Sequence, residues 1–334
     1  MKRALFPSAQ NIALIVLLFV GILVPVIISN PFYLHLIIIS FIWSILASSL
    51  NICMGYTGLV SLAQGSFFGI GAYGVSLMML KGGMSYWLAV LLSLGLVVLI
   101  SVLIGLVALR TRGPYFVIFS LCVCLVITTI IHHWDSLTEG ARGLTSIPPI
   151  NPIIIPGLMT LTFTSTISQY YLFLTFLLFT LFVVNRIIHS RLGRAFQAVR
   201  LNETLADSLG INVMATKMFS FALSAFFAGL AGVLYPPYIS YLNPADSSFW
   251  VSFNAILYVI VGGAGTLGGP VIGVFLMTII PELLRFLAEY RLLFYALVLI
   301  LTVIFFPTGL IGLPRLMRRE TTNVNRRRAG TYSG

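Results

Sequence analysis

The amino-acid sequence predicts an all-α, polytopic membrane protein of about ten transmembrane segments, some of them interrupted by glycine. Hydrophobic residues make up 59% of the 334 positions and charged residues only 8%, whereas charged residues make up about 25% of an ordinary soluble domain. Apolar runs close to the roughly 20 residues that cross a hydrocarbon core as a helix recur along the chain. A water-soluble surface cannot be built from so few charges.

Ten candidate spans are bounded by glycine, proline and charged residues. The first follows Lys2 and Arg3 and so resembles a secretory signal. However, it is longer than a signal core and runs into Ser29-Asn30-Pro31 without a small-residue cleavage site, so we expect a retained span. In chain order the spans are 11–29, 32–54, 65–80 (short), 86–109, 114–133, 169–189, 216–235, 250–262 (short), 270–288 and 291–308.

The basic residues predict the orientation. With the N-terminus in the cytoplasm, all but four of the 19 lysine and arginine residues fall in cytoplasmic segments, which satisfies the positive-inside rule and places both termini in the cytoplasm. The net charge of +11 does not indicate nucleic-acid binding, because the charges lie in short gaps between spans. By this count no carboxylate lies in the middle of a span, in contrast to proton-coupled carriers.

The spans predict a single transmembrane domain over residues 1–315, followed by a basic cytoplasmic tail, 316–334, that we expect to be disordered. Two connections are longer than the others, an external loop at 134–168 and a cytoplasmic loop at 190–215. Long loops in a compact bundle need a functional reason, and we expect partner docking at both. In the cytoplasmic loop Asn202 is placed to cap a short helix, Glu203–Leu209, with Gly210 as its stop. The alternative is an ordinary loop attracted to anionic lipid.

Two stretches are rich in glycine: the first glycine segment, Gly55–Gly74, and the second glycine segment, Gly262–Gly273. Glycine frees the backbone from helical geometry, and paired interrupted spans in the two halves of a transporter indicate a binding site near the membrane midplane. Close helix packing is the alternative, because glycines four residues apart also permit it, and both can hold. The glycines expected to break helices are Gly55, Gly58, Gly65, Gly262, Gly263 and Gly265.

Motifs for catalysis, metals and nucleotides are lacking. The second span carries Ser40, Ser44, Ser48 and Asn51 on one stripe, which predicts either a helix contact or a path-lining face. The three cysteines lie in apolar runs without metal or disulfide spacing. No GxxxxGK[ST] loop occurs, so if ATP drives this protein a partner must bind it. We therefore expect no catalytic residue, no metal and no cofactor.

Four motifs together resemble one family. The chain resembles, from about Leu50 to Leu313, the permease of high-affinity branched-chain amino acid ABC importers, and specifically the M type of the paired permeases. In the cytoplasmic loop Thr204 stands where glutamate is usual, and in the first glycine segment Leu59, Ala63 and Gln64 depart from the expected residues. The motifs are Gly55–Gly74, Thr138–Leu144 followed by Ile147-Pro148, Arg191–Gly210, and Gly262–Gly273.

The resemblance implies a multi-pass subunit of the prokaryotic plasma (inner) membrane that is not itself an enzyme. Its implied partners are a second homologous permease, two ATP-binding subunits and an extracytoplasmic substrate-binding protein, with leucine, isoleucine and valine as substrates. The cytoplasmic loop resembles the segment that docks on the ATPase, with the contact residues Arg194, Leu205, Ala206, Leu209 and Gly210. The residues expected along the translocation path are Ser44, Asn51, Tyr56, Ser61, Gln64 and Phe67.

Other functions stay open at this point. An importer of the same architecture for urea or short amides shares these motifs. A stand-alone secondary carrier is a rival of another class, which would take up substrate without ATPase subunits. An intramembrane enzyme ranks last, because no set of histidine, cysteine and carboxylate residues has a recognisable spacing.

Overall fold

A computed structural model of the chain describes residues 21, 24–25, 30–111, 113–155, 159–161, 163 and 165–283. Nearly all of the first predicted span, the far end of the ninth, the tenth and the predicted tail at 316–334 lie outside these residues. The helices, in chain order, are α1 (Pro31–Leu50), α2 (Gln64–Leu80), α3 (Tyr86–Ala108), α4 (Pro114–His133), α5 (Asp135–Thr138), α6 (Thr166–Ile188), α7 (Arg191–Leu201), α8 (Glu203–Ser208), α9 (Val213–Ile239), α10 (Phe249–Gly262) and α11 (Gly269–Leu283).

The described chain is mostly helical, as the sequence predicts. Five helices are long and apolar enough to cross a membrane: α3, α4, α6, α9, and α1 together with the turn that continues it to Tyr56. The predicted span 114–133 coincides with α4, and the other described spans begin within three residues of their helices. α10 has 14 residues and α2 has 17, which agrees with the two spans predicted to be short.

Four short strands depart from the all-α prediction. β1 (Leu144–Thr145) pairs with β4 (Tyr241–Leu242), and β2 (Ile153–Ile155) pairs with β3 (Met159–Leu161), both antiparallel. They lie in the long 134–168 loop and after α9, where the backbone leaves the helical conformation and its N–H and C=O groups need other partners. Two-residue and three-residue strands leave no period-two pattern that a sequence can reveal.

α9 lies at the centre of the bundle, where it packs against α1, α2 and α3. Small residues allow this close packing. A Cβ added to Gly71 of α2 would lie 2.5 Å from the carbonyl oxygen of Gly229, and one added to Gly229 would lie 2.9 Å from Val97 of α3. Backbones that approach so closely gain van der Waals contact, which is the main attraction between helices in lipid.

On the outer helices the apolar side chains are exposed and the polar ones are buried, the reverse of the distribution in a soluble protein. On α3 the side chains of Leu91 and Leu99 are 70% and 58% exposed, while Ser93 and Ser101 are fully buried. Apolar side chains on the outside and hydroxyls on the inside suit a hydrocarbon solvent, in which a free hydroxyl is costly. α3 therefore presents a lipid-facing surface.

α7 and α8 form a polar segment between α6 and α9, called here the α7–α8 segment. The sequence predicts only the second of these helices, as Glu203–Leu209, and α8 ends one residue earlier. The structure adds α7, which Ser190 caps by accepting a hydrogen bond from the N–H of Leu192 at 3.2 Å. Phe196 and Val199, three residues apart, are its buried face. A stripe so short does not stand out from a loop.

The motif Thr138–Leu144 closes the end of α4 on the opposite face of the molecule. The Thr138 hydroxyl donates to the carbonyl oxygens of Ile131 at 2.6 Å and Trp134 at 2.8 Å. Gly143 has φ 72° and lies against the backbone of Leu242, where β1 and β4 pair. A side chain at position 143 would therefore be strained and would press on β4.

We predict that Gly71→Ala lowers the thermal unfolding temperature of the purified protein. The added methyl group would press on the backbone of α9, and such overpacking costs about 1–3 kcal/mol. The matched control is Gly95→Ala in α3, where an added Cβ meets nothing within 4 Å. Intrinsic fluorescence during heating in detergent measures both. Equal shifts for the two variants would contradict close packing of α2 on α9.

Candidate functional site

The first glycine segment begins in a π-helical turn. α1 ends at Leu50, and Asn51–Tyr56 form this turn, in which the hydrogen bonds span five residues instead of the four of an α-helix. Residues 58–63 are then non-helical until α2 begins at Gln64. The N–H of Leu59 reaches back to the carbonyl oxygen of Cys53 at 2.9 Å. Single π-helical turns occur most often at functional sites, because they widen a helix and release backbone groups.

The Asn51 side chain joins this turn to the second glycine segment. Its amide Nδ2 donates to the carbonyl oxygen of Thr266 at 2.8 Å, and its Oδ1 accepts from the N–H of Gly265, also at 2.8 Å. Asn51 is 1% exposed. A non-helical backbone in a membrane interior needs such partners, because an unpaired buried N–H or C=O costs several kcal/mol in hydrocarbon.

Glycine is required where the two segments meet. A Cβ added to Gly55 would lie 2.5 Å from the backbone nitrogen of Gly265. Gly265 itself has φ 78°, and Gly263, directly after α10, has φ 121°. These are conformations that residues with a Cβ rarely adopt. The interruption between α10 and α11 thus depends on glycine at 263 and 265.

Arg200, in the last turn of α7, reaches this meeting point from outside the bundle. Its Nη1 donates to the carbonyl oxygen of Gly55. A Cβ on Gly265 would lie 2.9 Å from the same Nη1, and one on Gly58 (φ 80°) would lie 3.1 Å from Arg200 Cγ. The junction, as we call the group Asn51, Gly55, Gly265, Thr266 and Arg200, therefore connects the α7–α8 segment with both glycine segments.

Gln64, the first residue of α2, belongs to a separate buried hydrogen-bond network. Its Nε2 donates to Ser224 Oγ at 2.7 Å, and that hydroxyl donates to the carbonyl oxygen of Ser49 at 2.6 Å. Thr57 and Ser220 share a hydrogen bond of 2.6 Å one turn further along. These contacts hold α1, α2 and α9 in register.

The second half of the first glycine segment serves packing. Gly65 lies inside α2, so the helix is not interrupted at this position. A Cβ there would collide with the backbone of Ser248, and the N–H of Gly65 donates to Ser252 Oγ at 2.7 Å. Gly262 is the last residue of α10 and lies against Gly269 at the start of α11. The breaks fall on Gly58, Gly263 and Gly265, Gly55 lies in the π-helical turn against Gly265, and Gly65 and Gly262 let helices touch.

The six residues predicted along a translocation path are all buried inside this subunit. The Ser44 hydroxyl has no hydrogen-bond partner in the described part of the chain. Ser61 accepts from the N–H of Ala63 at 3.2 Å, and Phe67 makes an edge contact with Phe221 at 5.4 Å between ring centroids. Their role in transport stays a prediction. The six are Ser44, Asn51, Tyr56, Ser61, Gln64 and Phe67.

The α7–α8 segment presents an apolar surface to solvent. Leu205 and Leu209 are 59% and 72% exposed, whereas Ala206 between them is buried. Asn202 caps α8 by accepting from the N–H of Leu205 at 3.0 Å, and Gly210 follows the helix with φ 79°. Arg194 is exposed on α7. The predicted cap, leucine pair and glycine stop are thus arranged on one exposed helix.

Lys217 anchors this segment to α9. Its side chain is 5% exposed and forms an ion pair with Glu203, the first residue of α8. A buried ammonium group needs such a partner because an unpaired buried charge is costly, and the partly exposed Glu203 carboxylate (41%) supplies it. The ion pair fixes the start of α8 relative to α9.

Arg200, Thr266, Ser224 and Ser252 are site residues that the sequence did not single out. Each makes its contact with a residue far away in the chain, as in the 145 positions between Gly55 and Arg200. For Arg200 the one local signal in the sequence is a basic side chain in the predicted cytoplasmic loop. Among the described residues, no three histidine, cysteine, aspartate or glutamate side chains are grouped to hold a metal ion.

Comparisons with known proteins show which proteins this chain resembles. A family model described as "Branched-chain amino acid transport system / permease component" matches residues 32–304. The high-affinity branched-chain amino acid transport system permease protein LivM of Escherichia coli (strain K12) is 27% identical over 329 residues, which cover 92% of this chain and 76% of that protein. LivM of Salmonella typhimurium is 29% identical over 330 residues with the same coverage.

The second type of permease is more distant. LivH of Salmonella typhimurium is 26% identical over 289 residues, which cover 82% of this chain and 92% of that protein. No solved structure matches the chain significantly. The LivM proteins match a larger share of this chain than LivH does, 92% against 82%, which confirms the resemblance to the M type. Because the family model matches most of its length, the chain belongs to the family of branched-chain amino acid transport system permease components.

Proposed function

We propose that this chain is one of two permeases of an ATP-driven importer that carries leucine, isoleucine or valine into a prokaryotic cell. The observation that carries the proposal is the junction, where two interrupted helices meet each other and meet Arg200 of an exposed segment. The printed names of the LivM and LivH relatives support the substrate class and the existence of a second permease.

We place the α7–α8 segment in the cytoplasm, together with both chain termini. The support comes from charge, because Arg191, Arg194 and Arg200 all lie on α7 and the positive-inside rule assigns such segments to the cytoplasm. The opposite face then carries β1 and β4 outside the cell. The ten-span count and the inner-membrane location belong to this proposal as well.

The junction has the chemistry to pass a zwitterion with an apolar side chain. Interrupted helices carry carbonyl groups that can meet an ammonium ion and N–H groups that can meet a carboxylate, here in exchange for their hydrogen bonds to Asn51 and Arg200. Above the junction on α1, the hydroxyls of Ser44 and Ser48 are buried and without partners in the described residues. Hydroxyls of this kind are available to a passing polar group, and the surrounding apolar side chains suit a branched aliphatic group.

ATP hydrolysis by the partner subunits acts on the permease through the α7–α8 segment. Three leucines of this segment are exposed: Leu201 at the end of α7, Leu205 on α8 and Leu209 directly after α8. Exposed apolar side chains of this kind fit the hydrophobic groove of a partner, here an ATP-binding subunit. Movement of this segment reaches the interrupted helices through Arg200, and an external binding protein delivers substrate to the opposite face.

Transport by the reconstituted complex tests the function. We predict that proteoliposomes with both permeases, the ATP-binding subunits and the binding protein take up labelled leucine only when ATP is enclosed in the lumen together with the ATP-binding subunits. Uptake of urea and not of leucine would show that the substrate is urea and would contradict the proposed amino-acid substrate. Gradient-driven uptake by this chain without the ATP-binding subunits would contradict an ATP-driven importer.

Arg200→Gln is predicted to uncouple ATP hydrolysis from transport. Glutamine is shorter and neutral and has no guanidinium group, so it cannot replace the donor to the Gly55 carbonyl oxygen. Leucine uptake per ATP hydrolysed should therefore fall about tenfold, the equivalent of about 1.4 kcal/mol. The measurement is the ratio of uptake to ATPase activity in proteoliposomes. Arg186→Gln on α6, where the guanidinium lies over the Phe182 ring, is the matched control and should leave the ratio unchanged.

Gly210→Val tests the α7–α8 segment by its backbone. The φ of 79° at Gly210 is strained for a β-branched residue, at a cost on the order of 1–3 kcal/mol, so α8 should shift and uptake should fall while membrane insertion stays normal. Gly83→Val is the matched control, because Gly83 also has positive φ and open surroundings but lies between α2 and α3. Unchanged uptake in Gly210→Val would count against docking at α8.

A further inference from the structure

Asn254 lies in the middle of α10, on the side of the helix that faces away from the described part of the subunit. The residue is exposed, together with Trp250 (62%) and Phe253 (38%) on the same side of the helix. The described part of the chain offers its amide no hydrogen-bond partner. The opposite side of α10 is bound to this subunit, since Ser252 Oγ donates to the carbonyl oxygen of Leu62 at 2.7 Å.

An exposed, unpartnered amide does not fit a lipid-facing surface. On α3 the exposed residues are apolar and the two serines are buried. On α6 Thr175 is exposed, but its hydroxyl donates to the carbonyl oxygen of Tyr171 at 2.7 Å within the helix. An amide without a partner costs several kcal/mol in hydrocarbon. The side of α10 that carries Asn254 must therefore meet either protein or water.

The residues around Asn254 favour protein. Phe249, Trp250 and Phe253 contact one another, with ring centroids 4.9–6.1 Å apart, and form an aromatic patch next to the amide. A water-filled path would leave this patch wet, whereas the core of a protein interface is rich in aromatic residues. Asparagine is also one of the residues that hydrogen-bond from one membrane helix to another.

We propose that this side of α10, formed by Trp250, Phe253 and Asn254, packs against the second permease, with the Asn254 amide hydrogen-bonded across the interface. The LivM and LivH permeases both match this chain over most of its length. Two subunits of one fold can pair through equivalent surfaces around a two-fold axis. The inference rests on the proposed pairing of permeases but not on the identity of the substrate.

This placement has a consequence for the path. α10 is followed directly by Gly263 and Gly265, which belong to the interruption at the junction. An interface along α10 would bring the interrupted helices of both permeases to the boundary between the subunits.

Photo-crosslinking in the intact importer tests the contact. Benzoylphenylalanine replaces Phe253, a conservative aromatic exchange, or Asn254, and as a control it replaces Leu99 on the lipid-facing side of α3. Both permeases are co-expressed in membranes, irradiated and analysed by mass spectrometry. We expect adducts with the second permease from 253 and 254 and none from 99. A pair that co-purifies intact but gives no permease adduct from 253 or 254 would overturn the inference.

The amide itself is tested by substitution. Asn254→Leu should reduce the amount of second permease that co-purifies with this chain by about threefold to tenfold, the range expected for one interhelical hydrogen bond. Asn254→Gln, which keeps the amide, should lose less. Equal or higher recovery with leucine would indicate a lipid-facing residue and would overturn the inference. If the unaltered chain recovers no second permease, the proposed pairing fails as well, whereas failed leucine uptake by an intact pair concerns the substrate alone.

Discussion

The described structure depends on the two hydrogen bonds of the Asn51 side chain. They satisfy an N–H at Gly265 and a carbonyl group at Thr266 in a backbone that has left helical geometry. In the interior of a membrane protein water is not freely available to replace such bonds. The interrupted helices can therefore exist only because a buried amide lies opposite them. That amide is well suited, because it carries an N–H donor group and a carbonyl acceptor on the same carbon.

Glycine has two separate uses along the same stretches. At Gly263 and Gly265 it permits positive φ and so ends helices, whereas at Gly71 and Gly229 it lets two intact helices approach until their backbones touch. The first use creates a polar break, and the second holds the surrounding bundle rigid enough to keep that break in place. A sequence rule that counts glycines cannot separate these uses, because both follow from the missing Cβ.

The sequence was most informative where a structural signal is local. Hydropathy predicts the bounds of α4 and the short length of α10. Asn202 and Gly210 predict the cap and the stop of α8. It was least informative where the partner is distant, as for Asn51 and Thr266, which are 215 positions apart. The amphipathic stripe of α7 consists of Phe196 and Val199 and was too short to recognise. In the first glycine segment, the sequence does not show which glycines break the helix and which allow packing. The contacts of Gly65 with Ser248 and Ser252 assign that part of the segment to packing.

Exposed groups that are costly for an isolated subunit indicate where the molecule is incomplete. The exposed leucines of the α7–α8 segment are apolar and face the solvent side, and the Asn254 amide is polar and faces the membrane side, so each residue type is in an unfavourable solvent. Both mismatches lie on elements that lead to the junction: the α7–α8 segment through Arg200, and α10 through Gly263. A partner that covers either surface gains the free energy of that mismatch. Because each element is tied to the junction, part of that free energy is available to change its geometry.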